Sequence, residues 1–211
     1  METMQAAVFK GNGVLEVQEV EIPKIRRPDQ VLIQVRAAGI CGSDLHALRV
    51  PSGLEIPTGI VLGHEFYGTI VEAGADVRRY RAGDTVVVDP CVPCGECWEC
   101  RHGMGYLCSE KRHYGQTCDG AFAQYVVVEA SQLHRVPADI DPDAAAQAEP
   151  LACILCGIEM LSPKPTDHIL LYGAGPIGLT FIRALKAYGV KHLAVVAKGA
   201  ARIAEAKRCG A

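Results

Sequence analysis

Four cysteines restrict this chain more than any other feature. Cys94, Cys97, Cys100 and Cys108 are spaced C-x2-C-x2-C-x7-C, with Gly95, Gly103 and Gly105 between them to allow sharp turns. A disulfide cage, a redox centre and a metal knot are the candidate readings. Four thiolates on one loop can surround a zinc ion tetrahedrally and seal it from solvent, stapling a segment that has no apolar core of its own. The compartment decides between them. The opening "METMQAAVFKGNGVLEV" lacks the basic, apolar and small-residue sections of a signal peptide, so a cytoplasmic protein is expected. Ten cysteines in a reducing compartment favour a metal over disulfides. Cys91 also offers C-x2-C spacing and is read as the spare thiol.

The rest of the chain has two textures. Up to about residue 136, short alternating or β-branched runs alternate with turn residues: "VLEVQEV", "QVLIQVRAAG", "GTIVEAG", "DTVVVDP" and "AFAQYVVVEA". Strands at this spacing predict a compact antiparallel barrel over residues 1–150. Beyond these strands Ala144 to about Leu161 reads as a helix, followed by a buried strand "HILLYG", a helix, a strand "HLAVVA" and a last helix. That β-α-β-α series opens a parallel sheet, giving an α/β unit over 151–211 after the β unit. A net charge of −3 provides no basic surface for nucleic acid, and no apolar run reaches the roughly 18 residues that would predict a membrane span.

Gly173, Gly175, Pro176, Ile177 and Gly178 form a G-x-G-x-x-G turn between strand and helix. The first glycine permits the turn, the second admits a pyrophosphate, and the third lets helix and strand pack closely. A dinucleotide is therefore expected at this helix N-terminus. A second cluster is dispersed: Cys41 follows a strand in "AAGICGSDLH", and "GHE" supplies His64 and Glu65. By pattern alone, a lone cysteine or histidine is more often a packed core residue than a ligand.

These motifs together change that weighting. "GHEFYGTIVEAGADV" resembles the zinc signature of the zinc-containing medium-chain alcohol dehydrogenases, and "GICGSDLH", the cysteine spacing, "AEPLAC" and "GAGPIG" follow in that family's order. The resemblance covers nearly the whole chain and is nearest to the sorbitol, polyol and threonine dehydrogenase branch. It implies a GroES-like catalytic barrel followed by the first part of a Rossmann domain. It implies two zinc ions per chain: one on the four cysteines, and one held by Cys41, His64, Glu149 and the adjacent Glu65. It makes Asp44 the carboxylate that orients His64, and Ser43 and His46 the relay that carries an alcohol proton toward solvent. The implied reaction is hydride transfer between a secondary alcohol or polyol and NAD(P), with homo-oligomers expected among full-length relatives.

Two departures stand out. Where NAD-binding units carry an acidic residue at the end of the second strand, this chain has Ala197, with Lys198 and Arg202 close by. Losing a carboxylate and gaining cations favours a 2′-phosphate, hence NADP over NAD. The sequence also stops after two strands of a sheet that has six in complete Rossmann units, so a fragment with impaired turnover is expected. Rival readings are a zinc-ribbon interaction module, which explains only the four-cysteine loop, and a non-catalytic homologue whose zinc ions only hold structure. Cys153 and Cys156 are expected in the core, and Trp98 over the knot or an interface. His102, His113, His134, His168 and His192, with Cys118 and Cys209, are given no chemical role.

Overall fold

Gly11, Asn12 and Gly13 all adopt positive φ, and that small-residue turn folds β1 (Thr3–Gly11) against β2 (Val14–Glu21) as an antiparallel hairpin. The computed structural model describes residues 2–211 and divides into two units, one ending at Glu149 and the other beginning at Pro150. In the first unit, β3 (Gln30–Gly39) leads through the short helix α1 (Gly42–Ala47) to β4 (Glu65–Ala73) and β5 (Thr85–Val88). The paired segments β6 (Cys91–Val92) and β7 (Arg112–His113) bracket the cysteine loop, which carries one helical turn, α2 (Trp98–Arg101). Strands β8 (Tyr125–Glu129) and β9 (Leu133–Arg135) complete a five-stranded antiparallel sheet of order β8-β3-β4-β5-β9.

Alternation decides which face of that sheet is buried. Val31 and Ile33, Phe66 and Ile70, Val86 and Val88, Val126 and Val128 all point into one cluster. The β1–β2 hairpin adds a second cluster through Met4, Ala6 and Val8, packed with Val61. Buried polar groups are held as firmly. Glu129 is 4% exposed and accepts from Arg27, and from Arg112 Nη2 at 2.6 Å, while the Tyr114 hydroxyl also donates to it. Burial alone would raise this carboxyl's pKa, but the two arginines outweigh it and hold it below the usual range.

The expected helix over 144–161 is two helices, α3 (Pro142–Ala146) and α4 (Ala148–Leu161). Asp141 caps α3 by accepting from the Ala144 amide at 2.9 Å, and the helix ends at Gln147. Pro150, which has no N–H to donate, fits the first turn of a new helix and not the interior of a continuous one.

In the second unit β10 (His168–Tyr172) and β11 (His192–Val196) pair in parallel, with α5 (Pro176–Ala187) between them and α6 (Ala200–Arg208) after them. Ile154 and Ile158 of α4 pack with Ala184 and Leu185 of α5, and Ile182 of α5 with Ala206 of α6. Cys153 and Cys156 are exposed, against the core position expected for them. The two isoleucines take the packing face of α4, and a residue one position before or two before an isoleucine on a helix turns away from it. Among the described residues, no helix is long and apolar enough to cross a membrane.

Candidate metal centres and dinucleotide turn

The register of β3 against β4 builds the first centre. Gly39 faces Glu65 across the pair, so Cys41, two residues beyond Gly39, meets the residues that begin β4. A side chain at 39 is excluded by the carboxylate opposite: a Cβ there would lie 2.3 Å from Glu65 Oε2. Gly63 turns the chain into His64 at φ +90°, and a Cβ there would lie 2.4 Å from the Phe122 ring. Ligand atoms of Cys41, His64 and Glu65 consequently all fall within 4.8 Å of one another.

Asp44 braces this cluster from α1. It is 3% exposed, its Oδ2 accepts from the Cys41 amide at 2.8 Å, and its Oδ1 lies 3.8 Å from His64 Nδ1. Burial drives the electrostatics. It raises Asp44 against the pull of the Cys41 and Gly63 amides, raises Glu65, and lowers His64. Two buried atoms here, His64 Nδ1 and Ser43 Oγ, have no hydrogen-bond partner among the described residues. The residues fit a zinc ion on both counts: thiolate, imidazole and carboxylate are its ordinary donors, and a cation offsets the cost of sequestering acids beside an unpaired imidazole. His46, one turn along α1 from Ser43, is exposed.

Glu149, the other carboxylate expected at this centre, is not a member of that cluster. It is the second residue of α4, and its charge is one of those that raise the Cys91 thiol, after burial and Asp89. The carboxylate that converges with Cys41 and His64 is Glu65.

Cys94, Cys97, Cys100 and Cys108 form the second cluster, again with ligand atoms within 4.8 Å of one another, and Cys91 is outside it. Cys94 Sγ and Cys100 Sγ are 3.9 Å apart; a tetrahedron with zinc–sulfur bonds of about 2.3 Å has edges of about 3.8 Å. Backbone amides already point at the sulfurs. Glu96 and Cys97 donate to Cys94 Sγ at 3.4 and 3.3 Å, and Cys94 donates to Cys108 Sγ at 3.4 Å. The Glu96 and Cys97 amides bring the Cys94 thiol down to about 7, while Cys97, against the pull of the Cys100 amide, is pushed up by desolvation and by the Cys100, Glu99 and Cys94 side chains. Trp98 is 63% exposed and stacks on His102 with centroids 4.2 Å apart, outside the sulfur cluster.

The glycine turn has the geometry its spacing predicts. Gly173 sits at φ +103°, and a Cβ on Gly178 would lie 2.2 Å from the Gly173 carbonyl oxygen, so helix and turn touch there. A Cβ on Gly175 would meet nothing within 4 Å, which leaves the space a pyrophosphate needs. Gly175 caps α5 with no side-chain hydrogen bond and Pro176 follows inside the first turn, so the α5 amides remain open to an anion. Lys198, two residues before α6, and Arg202, in its first turn, are exposed and make no ion pair among the described residues.

His113, assigned no role from its sequence context, stands beside the first cluster. The β6–β7 pairing places it opposite Cys91, and its ring lies 5.3 Å from that of His64 at 70°. Burial first, then His64 and Lys111, push its pKa down to about 4. No local signal marks it, because a two-residue pairing between distant segments brings it there.

Residues 27–138 match the family model of the alcohol dehydrogenase GroES-like domain. The chain is 36% identical over 208 residues to D-altritol 5-dehydrogenase of Agrobacterium fabrum, covering 96% of this chain and 60% of that protein. A structure described as a zinc-binding dehydrogenase from Sinorhizobium meliloti, bound to NADP, superposes with a TM-score of 0.95 at 34% identity, over 100% of this chain and 61% of that one. The rspB alcohol dehydrogenase of Escherichia coli CFT073, complexed with NADH, gives 0.92 at 35% identity, with 100% and 61% covered. The chain thus spans about three fifths of the length of the relatives it matches.

Proposed function

Because the chain belongs to the zinc-containing medium-chain alcohol dehydrogenase family, we propose that it carries the metal-holding barrel and the pyrophosphate turn of an oxidoreductase. The reaction is hydride transfer between a secondary alcohol or polyol and NAD(P). The convergence of Cys41, His64 and Glu65, beside an orphaned imidazole nitrogen and an orphaned serine hydroxyl, carries this reading.

Cys41, His64 and Glu65 hold a catalytic zinc, with Glu149 the further carboxylate implied by the family resemblance. When bound there, zinc supplies Lewis acidity that lowers the pKa of an alcohol hydroxyl. The chain's own groups do the rest. Asp44 fixes the His64 ring, as carboxylates behind ligand histidines do. Ser43 Oγ accepts the hydroxyl proton as it releases its own into the relay, and His46, exposed on the same helix, delivers that proton to solvent. Cys94, Cys97, Cys100 and Cys108 hold a second zinc that only staples the loop, since four sulfurs leave no open position. The amides after Gly175 receive the pyrophosphate, and Lys198 and Arg202 meet a 2′-phosphate.

Elemental analysis tests the two-centre reading. Wild-type protein should contain two zinc ions per chain, and Cys41→Ala and Cys97→Ala should each lose one while retaining the other. A single ion, retained in Cys41→Ala and lost in Cys97→Ala, would leave a stapled barrel and no alcohol chemistry. Cofactor choice is tested by titration. NADP should bind about tenfold tighter than NAD, and Lys198→Gln with Arg202→Gln should erase that difference. Tighter binding of NAD in the unmodified chain rejects the 2′-phosphate assignment.

A further inference from the structure

His113 stands beside the first metal cluster without belonging to it. Its ring lies 5.3 Å from His64, yet none of its atoms joins the group formed by Cys41, His64 and Glu65. The reason is that one nitrogen is already committed. His113 Nδ1 is 2.9 Å from the Tyr114 carbonyl oxygen. A carbonyl only accepts, so Nδ1 carries the hydrogen, and in the neutral ring Nε2 presents a lone pair. That lone pair has no protein partner among the described residues. Nε2 is also absent from the buried orphaned atoms, which are Gln18 Nε2, Ser43 Oγ and His64 Nδ1, so it keeps an open side.

The ring is held in place from behind. Tyr114 is 3% exposed, its hydroxyl donates to Glu129 and accepts from the Glu129 amide at 3.0 Å, and Arg112 Nη2 donates to the same carboxylate at 2.6 Å. The residues on both sides of His113 are therefore anchored to one buried group. A fixed acceptor next to a metal cluster is preorganised for a hydroxyl donor, and orienting it costs little when the ligand arrives.

We propose that His113 Nε2 accepts a hydrogen bond from a second substrate hydroxyl, adjacent to the one that is oxidised, and so selects vicinal diols and polyols over simple secondary alcohols. This rests on the alcohol-activating reading of the Cys41 cluster. The second oxygen of a vicinal diol is one carbon–carbon bond away from the first, so a hydroxyl bound at the Cys41 cluster keeps its neighbour close to that cluster, where the His113 ring stands 5.3 Å from that of His64. A simple alcohol leaves the acceptor unpaired, and a polar site rejects an analogue that lacks its partner far more strongly than an apolar pocket rejects a missing methylene.

The test is a binding measurement on the chain loaded with Co2+, whose visible absorption reports ligands entering the Cys41 site. Titration with 2,3-butanediol and with 2-butanol gives two dissociation constants. In the wild type the diol should bind about tenfold tighter. His113→Leu should weaken the diol about tenfold and change 2-butanol by no more than about twofold, whereas His113→Gln, whose Oε1 can replace the acceptor, should keep most of the preference. Identical cobalt spectra without alcohol certify that the ion site survives, and the glutamine variant serves if the leucine variant does not fold. Equal weakening of both alcohols, or an unchanged diol preference in His113→Leu, overturns the assignment of His113 alone. A wild-type spectrum that responds to neither alcohol overturns the alcohol-activating reading, and this proposal with it.

Discussion

Chelating the zinc from the four-cysteine loop should abolish amide protection between residues 93 and 109 while leaving β3 and β4 protected. Almost nothing else holds this segment. Of its residues only Cys108 is buried, and Trp98, Tyr106 and Leu107 are 63, 67 and 56% exposed. Its hydrogen bonds are local: Met104 N–H to the Glu99 carbonyl at 2.8 Å, Gly103 to Cys100 at 3.2 Å, Cys108 to Gly105 at 3.1 Å. Bonds of that kind do not compensate the backbone entropy of the loop, which is on the order of 1–2 kcal/mol per residue. Metal binding at a structural zinc site contributes about 10–16 kcal/mol at neutral pH. Hydrogen exchange at Gly103 and Met104 should therefore accelerate by roughly a thousandfold or more in the metal-free chain. Zinc should also bind more weakly as pH falls, because the thiolate is the ligand and Cys94, brought down to about 7 by the Glu96 and Cys97 amides, gains a proton below that pH. Unchanged protection after chelation would mean that the N–H···S bonds suffice and the loop needs no ion.

That loop was legible because its information is local. Cysteine spacing and intervening glycines are enough to bring the four sulfurs together without knowledge of the rest of the chain. The glycine turn was legible for the same reason: Gly173 and Gly178 touch within six residues. Strand β3 was read to its observed bounds, Gln30–Gly39, since its alternation faces a single core. The Cys41 cluster is a different case. Its members come from the end of β3 and the start of β4, and only the register of that pair joins them, so pattern alone left them as ordinary core residues and the family resemblance supplied the connection. His113 had neither kind of signal. Cys153 and Cys156 failed because an apolar neighbourhood in sequence was taken for a buried face, whereas on a helix the two isoleucines between and after them claim that face.

Glycine 120 provides the second large effect. A Cβ added there would lie 2.1 Å from the Gly63 carbonyl oxygen and 2.6 Å from Gly115 Cα. Both obstacles are backbone, so no side chain can move aside. Gly115 adds to the constraint, with φ +74° and its own Cβ position 2.6 Å from the same carbonyl oxygen. The turn that delivers His64 is thus clasped between two glycines, and the clasp is tied by Ala121 N–H to the Gly63 carbonyl at 2.9 Å. Gly120→Ala must push Gly63 away and draw His64 with it. Overpacking of this kind costs about 1–3 kcal/mol or more, and 3 kcal/mol lowers the melting temperature of a chain this size by roughly 6–12 °C. The Cys41 centre should lose metal before the barrel melts, because a displaced imidazole no longer converges with Cys41 and Glu65. Gly42→Ala is the matched control: it lies one residue from Cys41, but its Cβ would meet nothing within 4 Å. Calorimetry with zinc analysis on both variants should show Gly120→Ala unstable and short of one ion per chain, and Gly42→Ala close to wild type in both respects. A Gly120→Ala protein with normal melting and full zinc content would mean that the glycine clasp does not position His64.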